Sequence, residues 1–262
     1  MDNSNLHSTN LHDSVSPRRN LRLTVGYDGS PFKGMQYQTD APSVQNEIEK
    51  ALARLFGPLD ERITAAGRTD AGVHALGQVI NVNLLDPGIP LANIKRALNI
   101  FLPDSIRVRN ALWADSDFSA RFCARGKTYA YVVLNRRNPS LFWRNRALHI
   151  PGKLDMDLMR ECADLFHGEH DFSMFSVALE KGVNTVRRID SIRFKVFGPY
   201  IMIVFRGPGF LRGMVRMVTG AILAAGRGHV PIERVAAMLE GREANKITKI
   251  PPWGLYLVRV RY

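Results

Sequence analysis

The sequence predicts an α+β protein in which two lobes share a sheet. Three observations carry this reading. Stretches of apolar residues alternating with polar ones recur along the chain. Between them come stretches with apolar residues spaced at three or four. Each half interleaves strands with two or so helices, as expected for two α+β lobes sharing a sheet. The 262 residues, 45% hydrophobic and 23% charged, suffice for one large domain or two small ones with a substantial core.

Residues 1–20 are rich in Asn, Ser and His, lack the apolar stretch of a secretory signal, and read as a disordered tail. Leu21-Arg22-Leu23-Thr24-Val25 alternates and predicts a strand, followed by the loop Tyr27–Pro31. Ser43 is the predicted N-cap of a helix with Val44, Ile48, Ala51, Leu52 and Leu55 on one face, stopped by Gly57-Pro58. From about Arg62 a short strand leads into the loop Gly67–Gly72. Ile80, Val82 and Leu84 then alternate with Asn81 and Asn83, the pattern of a half-exposed strand. A helix from about Pro90 to Phe101 presents Leu91, Ile94, Leu98 and Phe101, and Ser105–Trp113 is extended. The lobe boundary falls within Asp115–Pro151, giving an N-terminal lobe of residues 21–125 and a C-terminal lobe of residues 126–262. The second lobe starts with a strand at Thr128–Leu134 and a helix near Leu154–Phe166. Strands at Ile189–Phe197 and Ile201–Arg206 follow. Helices from about Gly209 to Ala225 and from Ile232 to Leu239 precede a final strand, Leu255–Arg261. No internal repeat is detectable.

Lys and Arg number 36 against 24 Asp and Glu, a net charge of +12. Such an excess favours a polyanionic partner, because each phosphate neutralised releases condensed counterions. No apolar run approaches the ~20 residues of a membrane helix, so no membrane partner is expected. Cys123 and Cys162 are far apart and lack any Cys-x-x-Cys or Cys/His spacing. They read as two free thiols of a cytoplasmic protein, with no metal site.

Three segments can carry chemistry. In Gly67-Arg68-Thr69-Asp70-Ala71-Gly72, two glycines bracket a carboxylate and a planar cation suited to phosphate or base edges. On residue types alone, an ordinary Asp/Gly turn is the better account of the run. On a strand, Lys127, Tyr129 and Tyr131 share a face. A cation beside aromatic rings suits an unpaired base and its phosphate, although Tyr131 also reads as a core residue. Arg212 and Arg216 lie four apart at the edge of the apolar face of the predicted 209–225 helix. If one of them is buried, it requires a carboxylate partner, and Asp70 is the natural candidate. His74 reads as structural. No phosphate-cradling loop, dinucleotide fingerprint or Ser/His/Asp pattern stands out, so no cofactor is called for.

Taken in order, these segments resemble the tRNA pseudouridine synthase A (TruA) family from about Leu21 to Tyr262. The most specific block is Gly67-Arg68-Thr69-Asp70-Ala71-Gly72-Val73-His74-Ala75. Ala120-Arg121-Phe122 with Lys127-Thr128-Tyr129 comes next, then Gly168-Glu169-His170-Asp171-Phe172-Ser173. Gly209-Phe210-Leu211 with Met214-Val215-Arg216, and Gly254-Leu255-Tyr256-Leu257, complete the series. The resemblance implies a pseudouridine synthase fold: two α/β lobes around one extended, mainly antiparallel sheet with a basic central cleft, in a homodimer. It implies that Asp70 is catalytic and that Arg216 pairs with it. Tyr129 would stack on the target uracil and Arg68 would help displace the nucleotide, with Arg121 and Lys127 also binding substrate. The implied substrate is uridine in the anticodon arm of tRNA, around positions 38–40. One departure stands out. Gly34-Met35-Gln36 replaces the family's Gly-Trp-Gln, and Met fills apolar volume without stacking like Trp.

Pseudouridine formation breaks the N1–C1′ bond, turns the uracil and joins C5 to C1′. Glycoside hydrolysis commonly uses two carboxylates, one of them often to activate water. An isomerase must exclude water, and one ionised carboxylate suffices. Two rivals remain at this level: a non-catalytic RNA-binding module of the same shape, and a nucleoside hydrolase acting on the same bond.

Overall fold

A computed structural model describes residues 18–86, 88–177, 182–244 and 247–262. Strand β1 (Arg18–Tyr27) opens the fold, three residues inside the predicted tail. Asn20 anchors this early start: it is buried, and its amide donates to the carbonyls of Asp115 and Phe118. The rest of the tail lies outside the described residues. Helix α1 (Val44–Phe56) is capped by the Ser43 hydroxyl, which accepts from the Asn46 N–H, and it ends at Gly57. Strands β2 (Thr64–Ala65) and β3 (His74–Leu85) flank the 67–72 loop. Helix α2 (Leu91–Phe101) and strand β4 (Ile106–Ala114) complete the first half.

The second half runs through β5 (Gly126–Asn135), β6 (Leu148–Ile150), α3 (Met156–Asp164) and β7 (Gly168–Asp171). It continues through β8 (Val186–Ile189), β9 (Ser191–Phe197) and β10 (Tyr200–Gly207). Helices α4 (Met214–Gly226) and α5 (Ile232–Leu239) and strand β11 (Leu255–Arg261) close the chain. One sheet runs β4-β1-β3-β11-β5-β10-β9, with β2 on β3 and β6 on β5. Its pairings are antiparallel except β11 with β3 and β6 with β5. The mixed α+β class and the single, mainly antiparallel sheet are as predicted. The core is one cluster running from Leu21 to Val260, so the halves share their interior as well as their sheet.

Four local expectations are corrected. β3 is buried along both faces, because β1 and β11 flank it and the neighbouring segments cover it. Asn81 is therefore buried and fully engaged: its amide donates to the Asn20 side chain and Phe118 carbonyl, and its oxygen accepts from the Ala120 N–H. Alternation here marks a polar tie inside the sheet rather than exposure. The expected strand at 189–197 is split at Asp190. β8 pairs with β7 in a small separate ribbon while β9 pairs with β10. The predicted helix from 209 begins only at Met214, after Gly213 at φ 73°. Arg212 therefore precedes the helix and does not share a stripe with Arg216. β6 and β7, too short to show periodicity, were not anticipated.

The segment 28–35 braces the 67–73 loop. Met35 N–H donates to Thr69 O at 3.1 Å, and Gly72 N–H to Phe32 O at 3.3 Å. Met35 is buried, so the residue at the family's tryptophan position serves packing here. At Gly29 a Cβ would lie 2.0 Å from the Val73 carbonyl oxygen. Gly29→Ala is therefore expected to lower the unfolding free energy by about 1–3 kcal/mol in urea titrations. An unchanged midpoint would show that the brace yields without cost.

Candidate active site

The site forms where β3, β5 and β11 meet at the middle of the sheet. The Gly67–Gly72 loop enters β3 at His74, and Tyr256 of β11 lies beside His74. Tyr129 of β5 pairs with Leu257 on one side and Phe205 on the other. The first turn of α4 supplies Arg216.

Asp70 and Arg216, 146 residues apart, form an ion pair at 3.0 Å between Oδ2 and a guanidinium nitrogen. Their side chains are 22% and 9% exposed, so the carboxylate is partly open to solvent and the arginine is largely buried. Arg216 Nε also donates to the Ile250 carbonyl at 2.8 Å. Such support is what a buried guanidinium needs to offset its desolvation. Arg212, expected only as an alternative to Arg216, places Nε 3.5 Å from the other carboxylate oxygen, with its side chain 66% exposed.

The loop is tied from below. Tyr27 and Thr69 hydroxyls meet at 2.8 Å in the interior, one residue from Asp70. The Gln78 amide donates to the Gly67 carbonyl at 2.7 Å. Burial raises the Tyr27 phenol to about 12 despite its bonds to Thr69 and Gln78, so it stays protonated. No sequence signal marked this tie, because Tyr27 lies 42 residues from Thr69 and reads as the first residue of a loop.

Tyr129 is buried, with Phe210 edge-on at 5.3 Å. Burial raises its phenol well above the usual value, and Tyr27 and Asp70 add to the rise. Its hydroxyl is therefore a hydrogen-bond donor and not a ready base. Tyr131, on the same face, is wholly buried, and its hydroxyl donates to Pro251 O; the core reading of this residue holds. Lys127 lies against the loop, where a Cβ on Gly67 would meet its Nζ at 3.0 Å. Burial lowers its pKa, and the Arg121 charge lowers it further. Among the described residues, Lys127, Arg121 and Arg68 have no ion pair; Arg121 lies over the Phe122 ring and Arg68 is exposed. Cations without a carboxylate partner suit an anionic substrate.

His74 does structural duty. It is buried and stacks on Tyr256 at 4.7 Å. Nδ1 accepts from Gly29 N–H at 3.1 Å, and Nε2 faces the carbonyls of Asn145 and Trp253 at 2.9 and 3.0 Å. That pattern calls for the neutral Nε2–H form. Cys123 is exposed and Cys162 buried, both as free thiols. Among the described residues, no group of three or more His, Cys, Asp or Glu is placed to hold a metal, and no helix is long and apolar enough to cross a membrane.

A family model described as tRNA pseudouridine synthase matches residues 24–122 and 162–262, which hold Asp70 and Arg216 but not Lys127 or Tyr129. The tRNA pseudouridine synthase A of Oceanobacillus iheyensis is 41% identical over 92% of this chain and 96% of that protein. That of Listeria welshimeri is 42% identical over 92% of this chain and 98% of its own, and that of Acetivibrio thermocellus 38% over 93% and 100%. A chain of the archaeal box H/ACA sRNP Nop10–Cbf5 complex is a distant likeness. It shows 12% identity and a TM-score of 0.35, over 91% of this chain and 46% of that one.

The His74 arrangement carries a pH signature. Burial lowers its pKa from 6.5, while Asp28 and the two carbonyls pull the other way. The unfolded chain then binds more protons. His74's contribution is whole above about pH 6.5 and is lost as pH falls through the lower folded value. Urea unfolding at about pH 8 and pH 5.5 is expected to show a larger loss for wild type than for His74→Gln. Equal losses would assign the acid sensitivity elsewhere.

Proposed function

The chain belongs to the tRNA pseudouridine synthase family, and from that premise we propose that Asp70 is its single reacting carboxylate. The protein is an isomerase that converts uridine in tRNA to pseudouridine. The observation that carries the assignment of Asp70 is its position. It is a partly exposed carboxylate with buried Arg216 on one oxygen and exposed Arg212 near the other.

A uridine inside a helix cannot react, so it is flipped out at a cost of a few kcal/mol. Phosphate contacts from Arg68, Arg121 and Lys127, and stacking on Tyr129, offset that cost. Arg216 holds Asp70 in one orientation and balances its charge within the cleft. Attack at C1′, attack at C6 and removal of a C2′ proton each require one ionised carboxylate and no water. All three end with the C5 proton lost and N1 protonated. The phenol of Tyr129 stays neutral, so it orients the base and donates a hydrogen bond rather than accepting the C5 proton. The targets are uridines of the anticodon arm, around positions 38–40, a reading supported by the resemblance of the ordered sequence blocks. A homodimer in the cytoplasm is the form in which the enzyme acts.

Incubating the purified protein with an unmodified tRNA transcript and mapping carbodiimide-induced primer stops tests this directly. Stops are expected in the anticodon arm with wild type and none with Asp70→Asn, which keeps tRNA affinity. Turnover by Asp70→Asn would sink the assignment, and release of free uracil would point to hydrolysis. Affinity for tRNA is further expected to fall steeply with salt, log K declining linearly with log salt. A flat response would count against the phosphate contacts.

A further inference from the structure

We infer that Arg212 is a phosphate-binding residue of the reaction, held on Asp70 until RNA arrives. The inference rests on Asp70 as the reacting carboxylate and adds a second charge that must change partners during the cycle.

Both oxygens of Asp70 face guanidinium groups, but on different terms. Arg216 sits on Oδ2 at 3.0 Å, 9% exposed, with its Nε tied to the Ile250 carbonyl. Arg212 sits 3.5 Å from Oδ1, 66% exposed, and its side chain has no other partner among the described residues. A charge-assisted N–H···O bond runs about 2.7–2.9 Å, so the Arg212 contact is a loose one. An exposed pair of this kind contributes little to stability. Arg216 is therefore fixed and Arg212 is free to leave.

A nucleotide reaching Asp70 must come from the solvent side. It meets the oxygen that Arg212 covers, since the other is backed by the buried arginine. It also brings its own phosphates, for which a planar guanidinium is well matched. The Arg212 backbone is held, its carbonyl accepting from Val177 N–H at 3.0 Å, so the exchange needs only side-chain rotation. Moving from carboxylate to phosphate uncovers Oδ1 and adds one contact to the bound RNA. Arg68, Arg121 and Lys127 have no carboxylate to give up, so this coupling between RNA binding and exposure of Asp70 belongs to Arg212 among the cations named here.

The test compares wild type, Arg212→Gln, Arg212→Lys and Asp70→Asn. It measures kcat and KM on an unmodified tRNA transcript, the salt dependence of tRNA binding, and labelling of Asp70 in RNA-free protein. The label is a water-soluble carbodiimide with an added amine, read by peptide mass. For Arg212→Gln, kcat/KM is expected to fall about ten-fold with most of the loss in KM. The log–log salt slope becomes shallower by about one, and Asp70 labels several-fold faster. Arg212→Lys restores the slope. A slope and a labelling rate that match wild type in Arg212→Gln overturn the proposal, and a drop in melting temperature without a change in slope assigns the residue a structural role instead. If Asp70→Asn still turns over, the reading of Asp70 itself fails; if it is dead while Arg212→Gln labels and binds like wild type, only the role of Arg212 fails.

Discussion

A buried guanidinium cannot be left unpaired, and Arg216 imposes that constraint on the whole molecule. Its charge requires Asp70, from a loop between β2 and β3, and the carbonyl of Ile250, just ahead of β11. Three segments distant in sequence must therefore meet at one point. The sheet makes this meeting possible, because β11 lies between β3 and β5 and brings its flanking segment to the loop. Removing one partner would leave a charge in the interior, a far larger loss than any exposed ion pair on this surface.

The site's rigidity has a separate source. The Tyr27 hydroxyl, the Gln78 amide and the backbone of Phe32 and Met35 hold the loop, each through an uncharged group. Orientation and reactivity are thus assigned to different residues. The loop can be held in one shape while its single carboxylate stays half open to the cleft. Neutral groups suit the task below the loop, because an additional charge there would compete with Arg216 for Asp70.

Much of this was legible in the sequence, and the failures have physical reasons. Ser43, Gly57 and the apolar spacing of α1 fixed a helix whose ends the structure reproduces. α5 and β11 lie where their apolar spacing put them. Burial of either Arg212 or Arg216 called for a carboxylate, with Asp70 the candidate, and the family resemblance singled out Arg216. That both arginines reach Asp70 was not legible, because a left-handed Gly213 starts the helix one residue after Arg212, and periodicity carries no sign of that. Asn81 misled for a related reason: alternation reports polarity, and a polar side chain satisfied inside a sheet looks the same as one in water. Tyr27 acts through a tertiary bond that only the folded chain creates.

The position of β11 has a consequence for how the molecule comes into being. Chains are made from the N-terminus, and β11 follows every other strand of the sheet in sequence. It also joins the two halves, parallel to β3 and antiparallel to β5. Until it emerges from the ribosome, the nascent polypeptide holds two partial sheets with open edges, and closing them depends on contacts of very high sequence separation. The RNA-modifying centre therefore assembles only once β11 has been made, so a nascent chain stalled before it carries Asp70 without the strand that seats it.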